Sequence, residues 1–371
     1  MFDNYSLKKY DFLLAILSIA IALLGMMYIN SANSSYVDKQ KEGLIIGVIF
    51  MIGISLISYK FVLKFYWLIY AVAIALLVFV RLFGDKGGGA KRWFEFAGIR
   101  FQPSEVVKIM LILFYAAFIM KHEETLNTFR IILCCVIFII PPAVLIFQQP
   151  DLSTTIMIFV IFCLCMFIGG VSYKIIGGAI VIGVPSFVLL LRYLMQDNVN
   201  ILETYHKERI LAWLYPDEYS STKAYQTLNA VTAIGSGQLM GKGLDNNVVA
   251  SVKNGNFISE AHTDFIFAIV GEETGFVGSC LVIGLLFLIS VLCIIIARRA
   301  EDLAGKIIAG GVGGLIFFQT FINIGVVTGL LPNTGLPLPF VSYGQTSLVS
   351  MFMGIGFVLN VKLQSPSYDF Q

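Results

Sequence analysis

The segment Ser259-Glu260-Ala261-His262-Thr263-Asp264-Phe265 gathers acids, an imidazole and hydroxyls where a long polar stretch meets a long apolar one. Asp264 stands at the seam. A carboxylate partly withdrawn from water holds a proton more tightly and is a stronger general base. The same place suits a helix cap, since Thr and Asp favour the first turn. Position alone leaves both readings open. Glu105 and Lys108 form a second candidate, three residues apart at the start of another apolar run. On a helix they share a face, with Lys108 about 4.5 Å deeper. Charges at membrane depth are costly, pair up and face the protein interior or a water cavity. A structural ion pair and a substrate contact both fit.

Phosphate chemistry is offered by Gly87-Gly88-Gly89-Ala90-Lys91-Arg92-Trp93-Phe94. Glycines let backbone amides approach a ligand, and Lys91 and Arg92 bring charge. The segment reads as an anion site or as a solvated turn. Trp93 suits a sugar face or an anchor at the membrane interface. In Gln148-Gln149-Pro150-Asp151-Leu152-Ser153-Thr154, proline, an acid and hydroxyls mark a helix start, with Asp151 or Ser153 as cap. The run from Gly235 to Leu244 lacks the GxxxxGK[ST] spacing of a nucleotide loop and is rejected as one. His206 to Leu214, basic and then apolar, reads as a helix along the membrane interface. Leu331-Pro332-Asn333-Thr334-Gly335-Leu336-Pro337-Leu338-Pro339-Phe340 is a rigid non-helical segment between two apolar runs. At membrane depth such backbone must be buried or line a cavity. Glu272 lies about 80° round a helix from Asp264, and Glu273 about 180°. One of them can line a cavity; the other needs a separate partner.

The elements that position these residues are membrane helices. Apolar residues make up 58% of the 371 and charged residues 13%, against about 45–50% and 25% in soluble domains. The composition is that of an all-α integral membrane protein, read as one polytopic membrane domain over residues 1–371. Ten apolar runs are long enough to span: 11–30, 43–59, 63–83, 104–120, 131–148, 153–171, 174–195, 264–297, 306–330 and 340–361. Pro141, Pro142 and Pro185 fall inside spans, where neighbours can satisfy the freed backbone groups. All six cysteines lie in apolar runs and read as small helix residues, not as disulfides or metal ligands. The first run lacks a small-residue cleavage site and reads as a retained span. A net charge of +2 without a basic tail gives no nucleic-acid signal.

An even number of spans puts both termini on one side. With the termini inside, the inner connections carry Lys8, Lys9, Lys60, Lys64, Lys121, Arg130, Lys174, Arg298, Arg299, Lys306 and Lys362, as the positive-inside rule requires. The long loop of residues 196–263, between the seventh and eighth spans, is then extracytoplasmic. A basic cluster, Arg81, Lys86, Lys91, Arg92 and Arg100, also falls outside. It breaks the rule, so either the orientation is the reverse or the cluster is kept basic to hold an anion; the short outer connections Gln148 to Leu152 and Leu331 to Phe340, without a basic residue, favour termini inside.

Taken together, these segments resemble the SEDS family of bacterial cell-wall polymerases, the RodA, FtsW and SpoVE group. The likeness rests on Gly89-Ala90-Lys91-Arg92-Trp93, Gln102-Pro103-Ser104-Glu105 with Lys108, and Gln149-Pro150-Asp151-Leu152-Ser153-Thr154. It continues through Arg209, Pro216, Tyr225-Gln226, Gly235-Ser236-Gly237 and Gly241-Lys242-Gly243-Leu244. It ends in Glu260 to Ala268, Gly271-Glu272-Glu273, Asn333-Thr334-Gly335 and Ser342-Tyr343-Gly344. The chain departs from the family pattern at Ser259, Asn229 and Asp245-Asn246-Asn247, all in the long loop. Its short tails resemble the elongation branch more than the division branch.

The resemblance implies a glycosyltransferase that polymerises lipid II, the undecaprenyl-pyrophosphate-linked disaccharide-peptide, at the outer face of the bacterial cytoplasmic membrane. It puts the essential acid at Asp264, the functional tryptophan at Trp93 and the Glu/Lys pair at Glu105 and Lys108. Lys91, Arg92 and Arg209 are the expected contacts of the pyrophosphate, and His262 and Ser342 are further candidate substrate contacts. A divalent cation, magnesium or manganese, is the one cofactor left open; no metal-ligand spacing is visible. The implied partner is a class B penicillin-binding protein, a transpeptidase. Two other readings remain: a lipid II flippase using Glu105, Lys108 and Glu272, and a non-catalytic scaffold for a transpeptidase.

Overall fold

The computed structural model describes residues 10–87, 90–96, 99–194, 204–219, 224–244, 257–258 and 261–365. Gly88, Gly89, Ser259, Glu260 and Asp245-Asn246-Asn247 lie outside them, as does the side chain of Lys91. Long helices fall where apolar runs called for spans. α1 (Phe12–Ala32) and α2 (Val37–Leu56) come first. A short turn, α3 (Tyr59–Val62), leads into α4 (Tyr66–Phe83). Then follow α5 (Pro103–Lys121), α6 (Phe129–Phe147), α7 (Leu152–Ile168) and α8 (Tyr173–Leu194). Two shorter helices, α9 (Thr204–Leu214) and α10 (Tyr225–Ser236), belong to the long polar loop. The chain closes with α11 (Ile266–Arg298), α12 (Leu303–Val327) and α13 (Gln345–Leu363).

Seven of these, counting Tyr59–Phe83 as one, are long and apolar enough to cross a bilayer unaided. The other three expected spans are α2, whose first turns carry Asp38, Lys39, Lys41 and Glu42, the 17-residue α7, and α8. Polar starts and shortened helices are tolerated where neighbouring helices cover them. Pro141, Pro142 and Pro185 sit inside α6 and α8 as expected.

Among the described residues, one sheet interrupts the helical pattern. Between α4 and α5, β1 (Asp85–Gly87), β2 (Ala90–Phe96) and β3 (Ile99–Phe101) form an antiparallel meander, where the sequence suggested a glycine loop. Trp93 pairs with Asp85, and Glu95 with Arg100. Charged and aromatic residues succeed one another along β2, and aromatic residues favour a pleated, half-buried surface.

The core is built on α5, α12 and α13, whose spanning windows are 83%, 72% and 78% buried. α4 and α6, at 22% and 28%, form the rim, with apolar side chains turned outward as lipid contact demands. Small residues let helices approach closely. A Cβ on Gly313 of α12 would stand 2.7 Å from Cβ of Cys293 in α11, and one on Gly314 2.6 Å from Leu164 in α7.

α11 is broken at Gly275, which has φ 64° and ψ −158°. The break frees backbone groups, and the glycine run of the long loop satisfies them. Lys242 N and Gly243 N donate to Glu272 O and Glu273 O at 2.9 and 3.0 Å. Phe276 N and Val277 N donate to Gln238 O and Leu239 O at 2.9 and 3.2 Å. Side chains on Gly237, Gly241 or Gly275 would overlap the opposing backbone. The run rejected as a nucleotide loop is thus a helix-docking surface.

Candidate functional site

The Asp264 turn is held through its main chain. Three successive carbonyls are engaged: Tyr343 N donates to His262 O at 2.9 Å, Ser342 Oγ to Thr263 O at 2.7 Å, and Asn323 Nδ2 to Asp264 O at 2.8 Å. The cap position of α11 is Phe265, one residue beyond Asp264. Asp264 is half-buried. Its Oδ2 lies beside Gly335, where an added Cβ would come within 3.1 Å of it and within 3.7 Å of Arg209 Nη1. Gly335 has φ +81°, a conformation that suits glycine. The Pro-rich segment therefore has both the acid and the guanidinium against Gly335.

That segment re-enters the helix bundle and is fastened from several elements. From α9, Arg209 Nη1 donates to Asn333 O at 3.2 Å and Trp213 Nε1 to Gly329 O at 3.2 Å. From α7, Ser153 Oγ donates to Thr334 O. From α12, Asn323 Nδ2 also donates to Leu336 O at 2.6 Å, and Gln319 Nε2 to Pro337 O at 2.9 Å. Within the segment, Leu338 N donates to Ser342 Oγ at 2.7 Å. From α2, buried Gln40 donates to Ser342 O at 3.2 Å and accepts from Gly344 N at 3.1 Å.

Glu105 and Lys108 are buried in the core, 2% and 0% exposed, with Lys108 Nζ 2.9 Å from Glu105 Oε1. Lys108 Nζ also donates to Gln319 Oε1 at 2.9 Å. The pair is thus joined to the re-entrant segment through α12. Arg92 Nε donates to Gln149 O at 2.9 Å, which ties β2 to the start of α7. There Asp151 Oδ1 caps α7 by accepting from Thr154 N at 3.0 Å, as expected, and its Oδ2 accepts from Gln102 Nε2 at 3.4 Å. Trp93 rides on the same strand as Arg92, half-buried. β3 is linked to α13, since Thr346 Oγ1 donates to Arg100 O at 3.0 Å.

His262 stacks on Tyr36, with ring centroids 4.2 Å apart and planes at 12°, and Tyr343 packs against Tyr36 at 4.6 Å. Burial, with the Tyr36 phenol adding to it, pushes the Tyr343 phenol above its ordinary value, while Arg100 pulls it down. Ser342, a candidate substrate contact, has its hydroxyl engaged inside the chain on both the donor and acceptor sides and is 4% exposed. Glu272 and Glu273 each find a partner, Lys242 at 2.7 Å and Ser31 respectively. The contributions of Gln319, Asn323, Gln40, Ser153 and Tyr36 were not foreseen. A signal existed for the first two: amides four residues apart in an apolar run share one helix face.

Fold and site define a polytopic α-helical membrane protein in which a carboxylate, an arginine and a buried ion pair converge on a re-entrant, proline-rich segment. The family model "Cell cycle protein", the FtsW, RodA and SpoVE family, matches residues 8–366, and the chain belongs to that family. Its relatives include the peptidoglycan glycosyltransferase MrdB of Escherichia coli K12, 32% identical over 97% of both chains. The probable peptidoglycan glycosyltransferase FtsW of Geobacter metallireducens is 34% identical over 96% of this chain and 95% of that one. Among solved structures, a chain of a peptidoglycan synthase complex that coordinates polymerization and crosslinking superposes with a TM-score of 0.79, at 26% identity. That match covers 95% of this chain and 97% of the other. The rod shape determining protein RodA of Thermus thermophilus gives 0.69 at 25% identity, covering 95% and 96%. The protein is a bacterial membrane protein.

Proposed function

We propose that this protein is a peptidoglycan glycosyltransferase that polymerises lipid II into glycan strands, with Asp264 as general base. The observation that carries the assignment of the acid is its setting. Asp264 is held by its backbone and half-buried, and its carboxylate and the Arg209 guanidinium both lie against Gly335 of the Pro-rich segment. Asp264 takes the proton from the sugar 4-hydroxyl of an incoming lipid II. That oxygen bonds to the anomeric carbon of the growing strand, the bond from that carbon to the pyrophosphate oxygen breaks, and the α anomer becomes β. An inverting transfer needs one base and a stabilised leaving group, with no covalent nucleophile. Arg209, Arg92 and Lys91 supply positive charge for the departing pyrophosphate. Trp93 and His262 offer aromatic faces to the substrate.

No group of three His, Cys, Asp or Glu residues comes together among the described residues. Magnesium or manganese, the one cofactor proposed, would take substrate phosphates among its ligands, as magnesium commonly does. When bound it adds charge opposite the pyrophosphate. The partner we propose is a class B penicillin-binding protein, in keeping with the complex in which the structural relative is found. The orientation is that of a cytoplasmic-membrane protein with both termini inside and the site facing out, supported by the lysines and arginines of the inner connections.

The test is polymerisation of purified lipid II by the full chain, with and without the transpeptidase, resolved on a gel beside folded Asp264→Ala. Long strands from the wild type and none from the variant are expected. Strands from both overturn the base. Strands from neither overturn the polymerase and leave lipid transport to be measured in vesicles.

A further inference from the structure

The reading that Asp264 acts as the base leaves open what sets its position, and the polar face of α12 answers that. We propose that Gln319 and Asn323 are positioning residues that transmit the buried Glu105–Lys108 pair to the Asp264 turn. The inference rests on the assignment of Asp264 above.

The geometry is directional. Lys108 is fully buried and its ammonium can only donate, so it fixes which end of the Gln319 amide faces it. Oε1 accepts from Lys108 at 2.9 Å, and Nε2 is thereby aimed at Pro337 O, 2.9 Å away. A flipped amide would set Nε2 against the ammonium and Oε1 against a carbonyl. Lys108 in turn is fixed by Glu105 Oε1 at 2.9 Å. One helical turn along α12, Asn323 is 1% exposed and its Nδ2 donates both to Leu336 O and to Asp264 O. Adjacent carbonyls of the Pro-rich segment, Leu336 O and Pro337 O, are thus held by adjacent rungs of one helix. The lower rung is oriented by the ion pair, and the upper rung also grips the base's own carbonyl. Pro337 and Pro339 stiffen the segment, so a displacement at Pro337 is carried to Gly335, against which the Asp264 carboxylate rests.

An alternative role for Gln319 is only to satisfy the Lys108 charge, and one substitution separates the two. Gln319→Glu keeps an acceptor for Lys108 and strengthens that contact, but the carboxylate has no donor for Pro337 O. Full-length protein with its transpeptidase would be assayed on lipid II, with thermal unfolding in detergent measured alongside. Folded Gln319→Glu is expected to keep KM within about twofold and lose about tenfold or more in kcat, since small misplacements of a catalytic group cost that much. Asn323→Ala is expected to give the same split between kcat and KM. Wild-type kcat in folded Gln319→Glu overturns the relay. If Gln319→Glu does not fold, Asn323→Ala decides by the same criterion. Asp264→Ala runs as a control: activity in that variant sinks the base assignment, whereas an inactive Asp264→Ala beside fully active α12 variants sinks only the relay.

Discussion

Two places on and just before α11 carry carboxylates, and they differ in depth. Glu272 and Glu273, beside the Gly275 break, are 1% and 5% exposed and are gripped by their heads, through Lys242 and Ser31. Asp264, just before the helix, is half-buried and gripped by its backbone, as are the two residues ahead of it. A buried carboxylate needs a charged or hydrogen-bonding partner, and Lys242 and Ser31 each supply one. A base must be open to substrate while its position is fixed; the partial exposure of Asp264 serves the first and its anchored backbone the second. The contrast sets two acids closed inside the fold against one that is half-buried.

The sharpest test makes the head of Asp264 useless without moving its backbone. Asp264→Asn keeps every main-chain bond of the turn and removes the proton acceptor. Strand synthesis is expected to fall about 10²–10⁴-fold, the usual worth of general acid–base catalysis, with unchanged thermal unfolding. A folded, fully active Asp264→Asn would erase the distinction between the two kinds of acid.

Next in size is the buried pair that steadies the turn from below. Lys108→Met leaves Glu105 2% exposed without its cation. Breaking a buried pair by removing one partner costs about 3–5 kcal/mol, so the variant should unfold at markedly lower temperature in detergent. An unfolding temperature equal to the wild type would mean that the pair contributes nothing to the core.

Gly335→Ala probes the space at the acid itself. The new methyl would lie 3.1 Å from Asp264 Oδ2, at φ +81°. The left-handed backbone costs a non-glycine residue roughly 1–2 kcal/mol, and the carboxylate must shift by a few tenths of an ångström. A fall of about tenfold in kcat with a smaller change in KM is expected from steady-state rates. An unaltered rate would show that the acid has room the structure does not give it.

These distinctions were legible in the sequence to different degrees. The apolar runs announced the long helices because a bilayer demands about 20 apolar residues wherever a helix crosses it. Asp264 was legible as an acid at a polar–apolar seam, and Glu105 and Lys108 as a costly pair three residues apart. The meander carrying Trp93 was not, because strands this short depend on tertiary cover and the glycines pointed to a loop. Nor was the docking of Gly237 and Gly241 onto α11. The run that makes it is about 30 residues away in the chain, and its spacing is set by a partner backbone. Gln319 and Asn323 were visible as amides in an apolar run. What they hold is a turn brought to them by the fold, and no local pattern records that.

The smallest expected effect comes from the same chemical change as the largest. Glu273→Gln, like Asp264→Asn, swaps a carboxylate oxygen for an amide nitrogen with little change of shape. Ser31 Oγ donates to Glu273 Oε1, and a glutamine oxygen accepts that bond equally well. The amide is also cheaper to bury than the charged group. The main-chain bond from Gly243 N to Glu273 O does not involve the side chain and persists. Unfolding temperature within a few degrees of wild type and strand synthesis within about twofold are therefore expected, as for a substitution that keeps its hydrogen bond. If Glu273→Gln instead abolished synthesis in folded protein, its charge would be taking part at a distance from Asp264. Full burial would then no longer mark an acid as structural.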